Sequence, residues 1–240
     1  MNFRTAVLVV MTLSLALTAC PAKETSESAA EPEKKDKPAR SPAKKPVGPG
    51  LERLSVSLAQ SKSWRLPPAA FSFTYPDEAT LSLAKTGSQN PYYALVELYR
   101  GKKISESVSV THVNLQGGPT AKWEQLAPVV MKRLLAAMQR QLPGMKILSS
   151  GKAPFGGKDL YQFRAEFEIT DPNMGDPGKY RTFWVALLPG PQSSSPNGAS
   201  LTMTVRQGSG SKVTTWSDFS SKGLMGQIWR SFEFSRAGSP

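Results

Sequence analysis

The sequence predicts an α+β fold: an antiparallel sheet with two main helices packed against it. Three observations carry this. Period-two alternation recurs along most of the chain after residue 70, as in Phe71, Phe73 and Tyr75, and it marks strands with one face against a core. One long stretch, Trp123 to Leu142, switches to steps of three and four, the period of an amphipathic helix. A second helical pattern comes near the end of the chain. Runs of strands with helices segregated among them indicate layers, not a wound βαβ repeat.

The elements follow in order. Ala70 to Tyr75 alternates and stops at Pro76. Thr80 to Ala84 alternates through Leu81 and Leu83. Tyr92 to Tyr99 is rich in strand formers and meets a turn at Gly101. Glu106 to Leu115 carries Val108, Val110 and Val113. The helix that follows has a stripe of Trp123, Leu126, Val130, Leu134, Met138 and Leu142, with Pro128 at its start or at a kink. Pro143 and Gly144 end it. Met145 to Ser149 resumes the strands, and Gly156 and Gly157 read as a hairpin turn. Asp159 to Ile169 alternates. Tyr180 to Leu188 is apolar enough for a central strand. Leu201 to Val205 alternates again. Val213, Trp216, Phe219, Leu224 and Ile228 form the second helical pattern, before Trp229, Phe232 and Phe234.

Ahead of this domain, taken as residues 51 to 240, lie two other segments. Residues 1 to 19 carry Arg4 and an apolar run from Ala6 to Leu17. The run is too short to span a bilayer, and its order is that of a signal peptide. It ends Leu17-Thr18-Ala19-Cys20, which resembles the bacterial lipobox. That resemblance implies a diacylglyceryl group on Cys20 and cleavage just before it. Cys20 is the chain's single cysteine, so no internal disulfide can form. Residues 20 to 50 hold six prolines, no aromatic residue and charges of both signs. Such a stretch buries too little surface to offset its ordering entropy, so a disordered tether is expected.

The whole chain has a net charge of +12. Setting aside Arg4 and the tether's charges leaves 22 basic and 13 acidic residues in the domain, a net +9. That charge suits an anionic surface. Export argues against nucleic acid as the partner.

Several phrases resemble the PsbP-like superfamily, whose members include bacterial DcrB-like lipoproteins. They are Phe71-Ser-Phe-Thr-Tyr-Pro76, a helix ending Gln141-Leu-Pro-Gly144, Gly156-Gly157 before a long aromatic strand, and a last helix leading into Ser231-Phe-Glu-Phe234. The resemblance covers about residues 65 to 235. It implies an antiparallel sheet sandwiched by helices, no catalytic activity, and a role in binding or assembling other proteins. It supplies no functional motif to place on individual residues.

The chemical motifs are incomplete. His112 is the one histidine; it lies in a strand and reads as a structural residue with its hydrogen bonds satisfied. The loop from Gly151 to Asp159 has Gly157 where a phosphate loop needs lysine. Asp171 to Asp176 lacks the alternation and the closing glutamate of a calcium loop. Glu166 and Glu168 share a face expected to meet solvent, and Glu97 stands apart. Trp64, Trp184, Trp216 and Trp229 are expected in the core; one of them exposed beside Lys or Arg would reopen the question of a binding platform. No catalytic, cofactor or metal residue is assigned, and no cofactor is expected.

The expectation is therefore a non-enzymatic envelope lipoprotein that binds or assembles a protein partner. The alternative is a binder of anionic envelope polymer or lipid through a basic surface. Pro21 after the cysteine is not the aspartate associated with inner-membrane retention, so the periplasmic side of the outer membrane is favoured.

Overall fold

A computed structural model describes residues 50–85, 92–113 and 123–236. The signal segment, Cys20 and the tether to residue 49 lie outside the described residues, as does the end of the domain from 237 to 240. The fold is α+β, with antiparallel sheets and, among the described residues, three α-helices.

Strands β1 (Leu51–Val56) and β2 (Phe71–Pro76) flank a one-and-a-half-turn helix, α1 (Leu58–Ser63). Then come β3 (Thr80–Leu83), β4 (Tyr92–Arg100) and β5 (Lys103–Val113). Helix α2 (Trp123–Gln141) leads to β6 (Lys146–Phe155), β7 (Lys158–Ile169), β8 (Gly178–Leu187) and β9 (Gly198–Arg206). A 3-10 turn at Trp216–Ser220, helix α3 (Gly223–Ser231) and β10 (Glu233–Phe234) close the described chain.

Seven strands form one sheet in the order β3-β4-β5-β9-β8-β7-β6, and β1-β2-β10 form a second. A single rung crosses the large sheet through Thr80, Glu97, Ser107, Thr204, Thr182, Ala165 and Ile147. Both faces of this sheet are covered. Phe163, Ala165, Phe167 and Trp184 pack with α2 through Trp123, Ala127, Met131 and Met138. Phe183, Val185, Leu201 and Met203 pack on the other face with α3 and the small sheet, through Leu224, Ile228, Phe71 and Phe73. Strand β8 feeds both cores in alternation, which is why its sequence reads as a nearly unbroken apolar run. The Gly156-Gly157 turn joins β6 to β7 with both φ angles positive, +55° and +81°, as a two-residue hairpin requires.

Three expectations need correction. The second sheet and α1 were not predicted, because β1 buries only Leu54 and Val56 and α1 is too short to show a period. The buried face of α2 keeps the expected Trp123, Leu134 and Met138, with Leu142 buried just beyond it, and adds Ala127, Met131, Leu135 and Ala137; of the expected stripe, Val130 is half-buried against the core and Leu126 is 37% exposed. Alanine hides part of the true stripe from a count of large residues. Pro128 lies inside α2, which removes the first of its two expected placements, the start of the helix. The second helical pattern is not one helix: the chain enters α3 through Gly223 at φ +62°, a conformation that breaks continuity with the preceding 3-10 turn.

Candidate functional site

At one end of the large sheet, β8 begins and β9 ends side by side, pairing Arg181 with Val205 and Tyr180 with Arg206. The chain then loops through Gln207 to Lys212 and returns over the sheet at Val213, which is buried. Between loop and sheet lies an open cleft of about 390 Å³, lined by Arg181, Arg206, Val205, Ser211, Val213 and Thr214, among others. The volume falls at the lower end of ligand-sized sites, about 300–1,000 Å³. Arg181 meets this cleft already paired with the Glu166 carboxylate and beside the Trp216 ring.

Each wall is held from behind. Arg181 donates through Nε to Glu166 Oε1 at 2.9 Å and through Nη1 to the Thr214 carbonyl. Its guanidinium carbon lies 5.8 Å from the centre of the Trp216 ring. Arg164 lies 5.9 Å from the same ring, and Phe219 stacks on it at 5.3 Å. Arg206 donates Nη2 to the Pro177 carbonyl at 2.7 Å. The Gln207 amide donates to the Lys179 carbonyl at 2.8 Å, and the Ser209 hydroxyl donates to the Arg206 carbonyl at 2.7 Å.

Two carboxylates fix the loop. Glu106, 2% exposed, accepts the Ser211 hydroxyl at 2.6 Å and the Leu224 amide at 2.7 Å. Asp218 accepts the Thr214 and Thr215 amides at 3.0 and 2.8 Å and pairs with Lys222 at 2.9 Å. The Lys222 ammonium, followed by those two amides, holds the Asp218 carboxyl well below its ordinary range. The result is a recess on rigid supports, held in shape before any partner arrives.

The other singled-out residues lie elsewhere. His112 is in β5, and burial lowers its pKa. Its Nδ1 is buried without a hydrogen-bond partner among the described residues, which corrects the expectation of a satisfied ring. Glu166 does not simply face solvent: it pairs with Arg181 beneath the 3-10 turn, whereas Glu168 is exposed. Glu97 accepts the Tyr99 hydroxyl at 3.2 Å, and burial raises its pKa. Asp171 Oδ1 accepts the Asn173 amide at 2.8 Å, so that loop is built on turn chemistry. Trp184 is buried; Trp64, Trp216 and Trp229 are half-buried against the core. Trp216 is the one found beside arginine. No group of three His, Cys, Asp or Glu with metal-binding geometry occurs among the described residues. Cys20 lies outside them.

Sequence reading missed the cleft. Arg181 and Val205 are far apart in sequence and meet only through the β8–β9 pairing. The Gly208-Ser-Gly-Ser211 phrase marks the loop but says nothing of what it faces.

No protein-family model matches the chain, and no curated protein matches it. Among solved structures it is similar to cyanobacterial PsbP (CyanoP) from Synechocystis sp. PCC 6803. The identity is 15% over 80% of this chain and 97% of that one, with a TM-score of 0.42. It is also similar to a Pseudomonas aeruginosa protein of unknown function described as a putative regulator. There the identity is 16% over 57% and 77% of the two chains, with a TM-score of 0.26.

Proposed function

We propose that this chain is a cell-envelope lipoprotein, tethered through lipid on Cys20, whose folded part is a non-enzymatic binding or assembly module for a protein partner. The observation that carries the binding role is the cleft under the Gln207–Lys212 loop: an open, pre-shaped recess with Arg181, Ser211 and Thr214 among its lining residues. The lipid anchor rests on the Leu17-Thr-Ala-Cys20 phrase and the apolar run before it. The periplasmic face of the outer membrane is the proposed location, from Pro21. A second reading, binding of anionic polymer or lipid, draws on the +9 charge of residues 51 to 240.

A photo-crosslinking residue at Gln207, which is exposed, tests the binding role in the full-length protein in its own cells. A reproducible adduct with one protein, absent when Arg206 is changed to Glu, supports the module. Adducts with lipid or polymer alone overturn it in favour of the second reading. Radiolabelled palmitate tests the anchor: label retained by Cys20→Ser refutes it.

A further inference from the structure

We propose that the Arg164 guanidinium is the anchor for one side-chain carboxylate of the protein partner. The inference deepens the proposed function and rests on it.

Four arginines are half-buried among the described residues, and three of them have acceptors. Arg53 meets Glu233 and Ser72, Arg181 meets Glu166 and the Thr214 carbonyl, and Arg206 meets the Pro177 carbonyl. Arg164, on β7, makes no hydrogen bond or ion pair among the described residues. Its neighbours are two rings. The guanidinium carbon lies 5.7 Å from the centre of Phe183 and 5.9 Å from that of Trp216. Ring faces attract the cation but accept few of its five N–H groups. Even Gln162 Oε1, buried and unpaired two residues back on the same face of β7, does not reach it. Arginine cannot shed its proton, so the charge stays. Half-buried and uncompensated, that charge costs stability that an apolar side chain of similar length would not.

The group is held in place and open outward. Phe183 is fully buried and stacks on Phe155 at 4.3 Å, and Trp216 stacks on Phe219 at 5.3 Å. Arg164 Nε is buried without a partner, whereas its two terminal nitrogens are not buried. Those terminal nitrogens form the edge of a planar fork that a carboxylate meets with two parallel hydrogen bonds. Ser149 is paired with Arg164 across β6 and β7 and is exposed, which sets a hydroxyl donor beside the fork. At the Trp216 ring, Arg164 and Arg181 have Glu166 alone against them. One positive charge is left over, and one carboxylate matches it. The same ring joins the site to the cleft, because Arg181 lines the cleft and shares Trp216 with Arg164. A protein seated over the cleft therefore reaches Arg164 as well.

The test uses the full-length lipoprotein, isotope-labelled at arginine, in detergent micelles, and reads the side-chain N–H signals by magnetic resonance. The probe is N-acetylglutamate α-amide, with N-acetylglutamine α-amide as control. A saturable shift of the Arg164 signal with the glutamate probe alone is expected. Equal shifts at the exposed Arg133 and Arg140 would report screening by an added ion and overturn the proposal. So would a stronger response of Arg164 to inorganic phosphate or to glucuronate. Arg164→Met keeps a stem on the two rings and removes the uncompensated charge, so it should raise the melting temperature by about 2–4 °C. A melting temperature that falls makes Arg164 a purely structural contact and overturns the proposal. In cells, the photo-crosslinked adduct at Gln207 should weaken at least about tenfold in Arg164→Met, with Arg164→Lys, which keeps the charge and loses the fork, in between. An adduct that forms equally well in Arg164→Met leaves the binding role standing and overturns this inference alone.

Discussion

The buried carboxylate of Glu106 accepts the backbone N–H of Leu224 at 2.7 Å across 118 residues of sequence. The acceptor is on β5 and the donor is in the first turn of α3. An anion there satisfies one of the helix's unpaired amides and sits at the positive end of its dipole. Its other oxygen holds Ser211, and so holds the loop over the cleft. Changing Glu106 to Ala should destabilise the fold by about 3 kcal/mol, since two buried donors lose their acceptor. Glu106→Gln keeps one acceptor oxygen and should lose about half as much. Urea unfolding of the three proteins checks this; Ala and Gln variants of equal stability would show that the charge and its acceptors contribute nothing there.

Gly223 sits against that carboxylate. A Cβ on it would fall 2.4 Å from Glu106 Oε2, and its φ of +62° strains any other residue. Gly223→Ala should cost at least the roughly 1–2 kcal/mol of a left-handed non-glycine residue. The clash adds to this, so the loss should be smaller when Glu106 is already alanine. Equal losses in the two backgrounds would mean the crowding has no energetic weight.

Strands such as β2 and β7 were legible because their large apolar residues fall at alternate positions facing a core. Phe71, Phe73 and Tyr75 did so in β2, and Phe163, Ala165 and Phe167 in β7. The small sheet was not, since β10 is two residues long and is defined by pairing with Ser72 and Phe71 far away in sequence. The site was illegible for the same reason. Arg181 acquires its place only through its cross-strand neighbours Glu166 and Val205, with Glu106 and Asp218 anchoring the loop above by hydrogen bonds that no spacing rule encodes.

Asp218 gives the cleft a pH dependence of defined sign. Its carboxyl, ordinarily near 3.8, is held lower in the folded protein by Lys222 and by the Thr214 and Thr215 amides. A depressed carboxyl pKa stabilises the fold above the ordinary value, and that contribution disappears as pH falls toward the folded value. Asp218→Asn should therefore lower the melting temperature by a constant amount between pH 5 and pH 8, and the gap should narrow below about pH 4. A gap that stays the same at pH 3 would disconnect Asp218 from the acid behaviour.

Helix α2 poses the last question, because Pro128 has no N–H to give the Glu124 carbonyl four residues back. The Tyr161 hydroxyl, from β7, is placed to serve it. It lies 3.2 Å from that carbonyl oxygen and 2.9 Å from Glu124 Oε2, with Lys152 also 2.9 Å from the side chain at Oε1. The sheet thus supplies from outside a donor that the helix lacks, and it fixes the start of α2 over β6 and β7. Pro128→Ala would restore the internal donor and should stabilise the protein by up to the roughly 3 kcal/mol that separates proline from alanine inside a helix. Tyr161→Phe should destabilise the natural sequence, and it should cost less in the Pro128→Ala background, where the carbonyl has its own amide. Urea midpoints of the four proteins close the cycle. A Tyr161→Phe cost that is the same in both backgrounds would mean the hydroxyl serves the Glu124 side chain alone and does not replace the missing helix bond.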